Sequence, residues 1–235
     1  MQLFYANNIH KGDEFFIFDK TESRHIAKVL RKKQGDRIDL TNGQGQHFVC
    51  TVLDANDKRA KVSIDKCIEE PKSWDYRLHI AIAPTKLNDR FEWFLEKATE
   101  IGIDEITPIL CDHSERKVIK VERFEKIIQS AMKQSLKFTL PKLNPLIKFK
   151  DFIENNKAEY AAIAHCEDLE KKQFKNQLAK VKDICILIGP EGDFSLREIQ
   201  MALDHNYNPV GLGTSRLRTE TAALVACDTV SILKN

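Results

Sequence analysis

The feature that most limits what this chain can fold into is a change of hydrophobic periodicity at EEPKSW, residues 69–74. Ahead of it lie short strand-like runs, FFIF at 15–18, RIDL at 37–40, HFVCTVL at 47–53 and AKVSI at 60–64, with Gly35-Asp36 and Asn42-Gly43 between them. Runs of that length and residue type fit half-buried strands, and the interrupting pairs fit tight turns. One helical stretch, from about Glu22 to Lys33, places Ile26, Val29 and Leu30 on one side and Arg24, Lys28, Arg31 and Lys32 largely on another. Residues 1–72 are therefore expected to form a small β-barrel with one inserted helix.

Beyond the linker, strands alternate with helices. RLHIAIA is followed by a helix over about Asp89 to Ile101, whose Phe91, Phe94, Leu95, Ala98 and Ile101 share one stripe and which Gly102 is placed to stop. EITPIL comes next, then a basic amphipathic helix at about 122–137, strands near 160–165 and 184–188, a helix near 196–206, a short strand near 209–212 and a last helix from about 219. This alternation predicts an α/β domain over 73–235 with a mostly parallel sheet covered on both faces. A chain of 235 residues has room for two domains, and 42% hydrophobic residues supply their cores without disulfide or metal staples.

Six cysteines, at 50, 67, 111, 166, 185 and 227, form no C-x-x-C pair, so they read as small core residues in a reducing compartment and no metal is expected. The start, MQLFYANNIHKGDEFF, lacks a charged segment followed by an apolar run, and no apolar stretch approaches a membrane span; a cytoplasmic protein without membrane partners is expected. Charge is uneven. Residues 1–72 carry 13 Lys+Arg against 11 Asp+Glu, 73–150 carry 14 against 11, and 151–235 carry 10 against 13. The basic bias of the first two segments suits a polyanionic partner, although an ordinary solvated surface would give it too.

Two loops carry the chemistry. Cys185-Ile186-Leu187-Ile188 reads as a buried strand ending at Gly189-Pro190-Glu191-Gly192, and ligands of open α/β sheets bind beyond such strand ends. Gly189 and Gly192 let backbone approach a ligand, or simply make a turn, and Ser195 with Glu198 forms a capping box for the next helix. The second loop, Gly211-Leu212-Gly213-Thr214-Ser215, runs through Arg216-Leu217-Arg218-Thr219-Glu220-Thr221-Ala222 into the last helix. Neither loop has the G-K-[ST] of a Walker loop or the G-x-G-x-x-G of a dinucleotide fold, which disfavours a phosphate-driven site and leaves a neutral or zwitterionic nucleoside suitable. Arg216, Arg218 and Glu220 lie between glycine loop and helix start, as ligand contacts or as local salt bridges.

Five ordered blocks, HIAKVLRKKQGD at 25–36, KATEIGIDEITPI at 97–109, SERK at 114–117, IGPEGDFS at 188–195 and LGTSRLRTETA at 212–222, resemble the RsmE family of 16S ribosomal RNA methyltransferases of the SPOUT superfamily. The resemblance spans nearly the whole chain. It implies a PUA-like RNA-binding β-barrel over 1–72 and a SPOUT α/β domain over 73–235, whose deep trefoil knot binds S-adenosyl-L-methionine. It implies a homodimer methylating N3 of a uridine in 16S rRNA, as naked RNA or in the 30S subunit. By the same resemblance Ile188, Gly189, Glu191, Gly192, Leu212, Gly213, Leu217, Arg218 and Ala222 surround the cofactor, with Ala164 to Glu167 as a third wall. Two positions depart from the family pattern: Asp193, where a further glycine is common, and Lys137 in KQSLK, where E-Q-S-x-R is usual.

Transfer to uracil N3 requires removal of its proton and stabilisation of the anion left behind. Glu220 and Glu191 are the candidate bases; Arg218, Arg216 and Arg116 are the candidate anion stabilisers, with Arg218, Glu220 and Arg116 placed first as catalytic. Arg24, Lys28, Arg31, Lys32 and Arg123 are the candidate RNA contacts, with Lys33, Lys117, Lys120 and Lys126 nearby. His25 stacks on a base or packs inside. The alternatives are a fold relative acting on another RNA nucleoside, a catalytically inactive ribosome-assembly factor and a small-molecule enzyme.

Overall fold

The computed structural model describes residues 2–234, which fall into two compact units: 2–73 with 132–140, and 74–131 with 141–234. In the first unit, β1 (Leu3–Tyr5), β2 (Phe15–Ile17), α1 (Lys20–Arg24), β3 (Arg37–Thr41), β4 (Gln46–Asp54) and β5 (Lys61–Glu69) build a five-stranded sheet in the order β1-β3-β4-β5-β2. β1 pairs β3 in parallel and the other pairs are antiparallel. Alternation along β4 sends Phe48, Cys50 and Val52 into a core with Phe4, Ile9, Ile26, Leu40 and Val62. Among the described residues the sheet is an open half-barrel rather than the expected closed one, with the three-residue strands β1 and β2 at its ends.

The expected helix at 22–33 begins earlier and stops sooner. The Asp19 side chain accepts the Glu22 amide at 2.8 Å as N-cap, and after Arg24 the chain widens into a π-helical turn, His25–Val29. Arg31, at a φ of 54°, turns the backbone away. Residues 132–140 complete this unit: Phe138 offers its carbonyl to the Gly45 amide at 2.8 Å and stacks its ring on His47 at 4.6 Å.

The second unit contains β6 (Arg77–Ile82), α2 (Asn88–Ile101), β7 (Glu105–Leu110), α3 (Val121–Gln134), β8 (Lys142–Leu143), β9 (Ile147–Lys148), α4 (Phe149–Asn155), β10 (Tyr160–Ala164), β11 (Lys172–Gln173), β12 (Asp183–Ile188), α5 (Leu196–Asp204), β13 (Asn208–Gly211) and α6 (Thr219–Lys234). Its eight strands follow β11-β13-β10-β12-β6-β7-β8, with β9 on β7, and every pair is parallel. Ala81, Ala83, Cys185 and Leu187 join the core under α4 and α5. By the two-residue period of a strand, Ile80, Ile82, Ile184 and Ile186 therefore face the opposite side, where α6 lies on β6 and β12 and α2 packs on α6. α2 ends at Gly102, whose φ of 136° and 3.1 Å clearance from the Trp74 ring admit no side chain.

α3 ends three residues before the predicted 137. Leu136 takes the left-handed C′ position, at a φ of 54°, and the Lys137 amide reaches back to the Met132 carbonyl at 3.0 Å, closing a Schellman-type stop without glycine. All six cysteines are free thiols. No helix among the described residues is long and apolar enough to cross a membrane, and no group of His, Cys, Asp or Glu among them is arranged to hold a metal.

Candidate active site

The chain starts the sheet at β6, builds β7 and β8 to one side, and returns to place β12, β10 and β13 on the other. Loops leaving the carboxyl ends of β10, β12 and β13 therefore emerge side by side, beyond the switch in strand order where such sheets bind ligands. Gly189 follows β12 directly, and a Cβ there would sit 3.1 Å from the Phe194 ring, so a side chain would force the ring or the loop to shift where the loop folds over that buried ring. Ser195 then caps α5 through the capping box with Glu198 read from the sequence. The Thr219 hydroxyl, at the start of α6, donates to the Gly189 carbonyl at 3.0 Å and ties the second loop to the first.

Two adjoining cavities open there. One, of about 300 Å3, is lined by Ile188, Gly189, Glu191, Leu217, Arg218 and Ala222 among others. The second, of about 430 Å3, takes in Leu212 and Gly213 and shares Ala164, Cys166, Arg216, Leu217 and Ala222 with the first. Eight of the nine residues nominated around the cofactor line one cavity or the other. Gly192 lines neither: a Cβ there would meet His113 Cβ at 3.2 Å. The His113 ring explains this packing, because Nδ1 lies 3.1 Å and 3.0 Å from the carbonyl oxygens of Gly192 and Asp193. Carbonyls only accept, so Nδ1 carries the proton.

The charged candidates separate into held and free groups. Arg116 donates from Nε to the Thr85 carbonyl at 3.0 Å and from its terminal nitrogen to the Lys86 carbonyl. Glu191 accepts the Lys86 amide at 2.9 Å. Both thus fasten the loop after β6. Glu220, in the first turn of α6, is buried; its Oε1 lies 3.8 Å from Arg90 Nε and its Oε2 has no hydrogen-bond partner. Arg218 is exposed at the cavity.

Sequence reasoning did not single out Arg90 or His113, and it covered His165 only within the Ala164–Glu167 wall. His165, the first residue after β10, lines the second cavity, is 7% exposed, and has no hydrogen-bond partner at either ring nitrogen. Burial, with a smaller push from Lys171, holds its pKa below the ordinary imidazole value, so it stays neutral. The Cys166 thiol is pushed up, first by burial and then by Asp193. A histidine at a strand end is a weak sequence signal, because core histidines occupy the same places.

Of the nominated RNA contacts, Arg24 and Arg31 are exposed. Lys28 lies 3.6 Å from Asp57, and Lys32 Nζ donates to the Arg37 carbonyl at 3.1 Å. His25 is half-exposed, its ring 5.8 Å from the Phe4 ring and its Nδ1 3.5 Å from Glu22. Arg123 faces Glu92 with both arms of its guanidinium, at 2.6 and 2.9 Å, inside an open groove that also holds Lys120 and Lys126. An arginine paired with a carboxylate through an ion pair and a hydrogen bond has its charge answered within the fold.

Known proteins are similar to this chain. A family model described as RNA methyltransferase domain matches residues 72–231, and one described as RNA methyltransferase PUA domain matches residues 18–65. The chain is 31% identical to the Ribosomal RNA small subunit methyltransferase E of Buchnera aphidicola subsp. Acyrthosiphon pisum, over 90% of this chain and 85% of that protein. It is similar to the crystal structure named as a probable rRNA-methyltransferase from Porphyromonas gingivalis, with a TM-score of 0.92 and 43% identity, covering 100% of this chain and 98% of that one. A Legionella pneumophila structure in complex with the bound cofactor SAM matches with a TM-score of 0.88 and 26% identity over 98% of this chain and 96% of that one.

Proposed function

The chain belongs to the ribosomal RNA small subunit methyltransferase E family, and from that premise we propose that it methylates N3 of one uridine in 16S rRNA, using S-adenosyl-L-methionine. The observation that carries the reading is the convergence of the loops after β10, β12 and β13 on two adjoining cavities with part-apolar walls and a tightly packed glycine, Gly189. The fit to the cofactor is a matter of donor chemistry: Ile188, Leu217 and Ala222 offer apolar surface suited to a base, and the unpartnered nitrogens of His165 offer one donor and one acceptor. Loop backbone at Gly189, Leu212 and Gly213 would take the remaining polar groups. When bound, the cofactor supplies an electrophilic methyl group on a sulfonium.

The protein's own part is to hold uracil in line and manage one proton. Glu220 is the base in this reading, because its buried Oε2 is an acceptor without a donor and N3–H is a donor. As that proton leaves, negative charge spreads to the neighbouring carbonyl oxygens, and the exposed guanidinium of Arg218 is placed to meet it. Arg116, nominated for the same task, acts instead through the loop after β6 that its guanidinium holds.

We further assign residues 1–72 to a PUA-like RNA-binding domain and 73–235 to a knotted SPOUT transfer domain. The enzyme is read as a cytoplasmic homodimer that takes 16S rRNA or the 30S subunit through Arg24, Lys28, Arg31 and Lys32. Calorimetric titration with S-adenosyl-L-methionine, and mass spectrometry of 16S rRNA from a deletion strain before and after addition of the enzyme, test the reading. No cofactor binding, or no mass gain on a uridine base, refutes it.

A further inference from the structure

Asp193 occupies a backbone position that favours a different residue. Its φ of 63° lies in the left-handed region, where glycine is unstrained and a side chain is not. The carboxylate is nevertheless fully engaged: Oδ2 accepts the Cys166 amide at 2.7 Å and Oδ1 accepts the Phe194 amide at 2.8 Å. Cys166 belongs to the loop after β10 and Asp193 to the loop after β12, and both line the cavity of about 300 Å3. The β12 loop is anchored on its far side by His113, which donates to the Gly192 and Asp193 carbonyls, and by Ser195, which donates to Asp112 at 2.7 Å. The β10 loop is gathered on itself by Lys171, which donates to the His165 and Glu167 carbonyls at 3.1 and 2.6 Å. What joins the gathered loop to the anchored one is the Asp193 carboxylate.

We propose that Asp193 is a clasp that positions the loop after β10 as the third wall of the cofactor cavity, holding Ala164, His165 and Cys166 in place before the cofactor arrives. The role rests on reading this cavity as the S-adenosyl-L-methionine site. A wall already in place spares binding the cost of ordering it, so the clasp acts on affinity through preorganisation and Asp193 is a positioning residue. The charge-assisted hydrogen bond offsets the left-handed strain that a glycine would have avoided.

Asp193→Gly relieves the backbone and removes the clasp, whereas Asp193→Asn tolerates the same φ and keeps one oxygen able to accept the Cys166 amide. Calorimetry with S-adenosyl-L-methionine is expected to give a Kd about tenfold higher for Asp193→Gly, the worth of one such bond, and within about threefold of wild type for Asp193→Asn. In turnover the glycine variant raises KM for the cofactor and leaves kcat unchanged. Hydrogen exchange of the cofactor-free protein is expected to show the Cys166 amide protected in wild type and in Asp193→Asn, and exchanging about tenfold faster in Asp193→Gly. If Asp193→Gly fails to fold, Asp193→Ser, too short to reach the Cys166 amide, carries the same expectation. A glycine variant that binds within twofold of wild type, an asparagine variant that falls as far as glycine, or unchanged exchange at Cys166 would each overturn the proposal. Wild-type protein that binds no S-adenosyl-L-methionine overturns the cofactor reading and this role with it, and the exchange data then decide separately whether the clasp exists.

Discussion

Gly189→Ala is the perturbation whose consequence can be worked most directly from the structure. A Cβ at that position would lie 3.1 Å from both Cδ2 and Cε2 of Phe194 and 3.3 Å from the Phe194 amide nitrogen. Carbon atoms rest at about 3.5–4.0 Å, so either the ring or the loop must yield by a few tenths of an ångström. The ring has nowhere to go: Phe194 is 2% exposed and packs on Phe149 at a centroid distance of 5.4 Å. The displacement therefore falls on the loop that lines the cofactor cavity. Overpacking of this kind costs about 1–3 kcal/mol. If that cost falls on the bound geometry, Kd for S-adenosyl-L-methionine rises roughly 5- to 150-fold, since about 1.4 kcal/mol is tenfold. Calorimetry reads the affinity, and a double-mutant cycle with Phe194→Leu reads the cause. Phe194→Leu removes Cε2 with two other ring carbons and lets the remaining Cδ carbons move, so it should lower the Gly189→Ala penalty by about half. A single variant that binds within twofold of wild type, or a penalty unchanged in the Phe194→Leu background, refutes the steric account.

Glu220→Gln and Arg218→Ala should each lower kcat about a hundredfold or more while cofactor Kd stays within about threefold; single-turnover labelling of 16S rRNA checks this, and near-normal rates remove both from the chemistry. Arg116→Lys should be as damaging as Arg116→Ala, because a lysine cannot fork onto the Thr85 and Lys86 carbonyls; activity retained by lysine alone would mean that charge, and not loop geometry, is what Arg116 supplies. In RNA titrations between about 50 and 200 mM salt, Arg31→Ala should reduce the slope of log K against log salt by about 1. Arg123→Ala should leave that slope unchanged, because Glu92 already answers its charge. His79 is 5% exposed, and burial depresses its pKa from 6.5 to about 4. The unfolded chain thus takes up a proton that the folded one refuses. Stability from this group is full above about pH 6.5 and falls as pH drops toward 4, by about 3 kcal/mol in all; urea midpoints across that range should show an acid limb in wild type that is shallower in His79→Gln.

Much of this molecule was legible because its signals are local. The FLEKATEI stripe, Gly102 and the S-x-x-E box each determine one helix or one helix end, and α2 and α5 begin and end within two residues of expectation. The misses share a cause. Leu136 ends α3 in a left-handed conformation that its residue type does not advertise, and its stop is completed by contacts of residues 132–140 with β3 and β4, remote in sequence. α4 was missed because FKDFIEN is only about two turns of helix and owes its form to packing under α5. In the site, the glycine loops marked the place but not the division of labour. That Arg116 and Glu191 serve the loop after β6 depends on backbone groups of Thr85 and Lys86, about thirty and one hundred residues away in sequence.

That division bears on where the chemistry sits. A side chain whose hydrogen bonds are consumed by the fold can take part in a proton transfer only by first breaking them, and each such bond to a charged group is worth about 1.5–3 kcal/mol. Arg116 would have to release two carbonyls and Glu191 one amide, and the loop after β6 would lose its ties at the moment the substrate needs a fixed surface. Glu220 bears no such obligation at Oε2, and burial beside Arg90 leaves that oxygen without water to satisfy it. An unsatisfied buried acceptor is costly in the empty protein and is relieved when a donor is delivered to it. In this reading the loops are held by groups that are already saturated, while an unsatisfied carboxylate oxygen stands in the first turn of α6, at the positive end of the helix dipole. The same logic separates Asp193, on the loop after β12, from Glu220, in the first turn of α6: both oxygens of the first are spent on geometry, whereas Oε2 of the second has no partner and is proposed to take the proton.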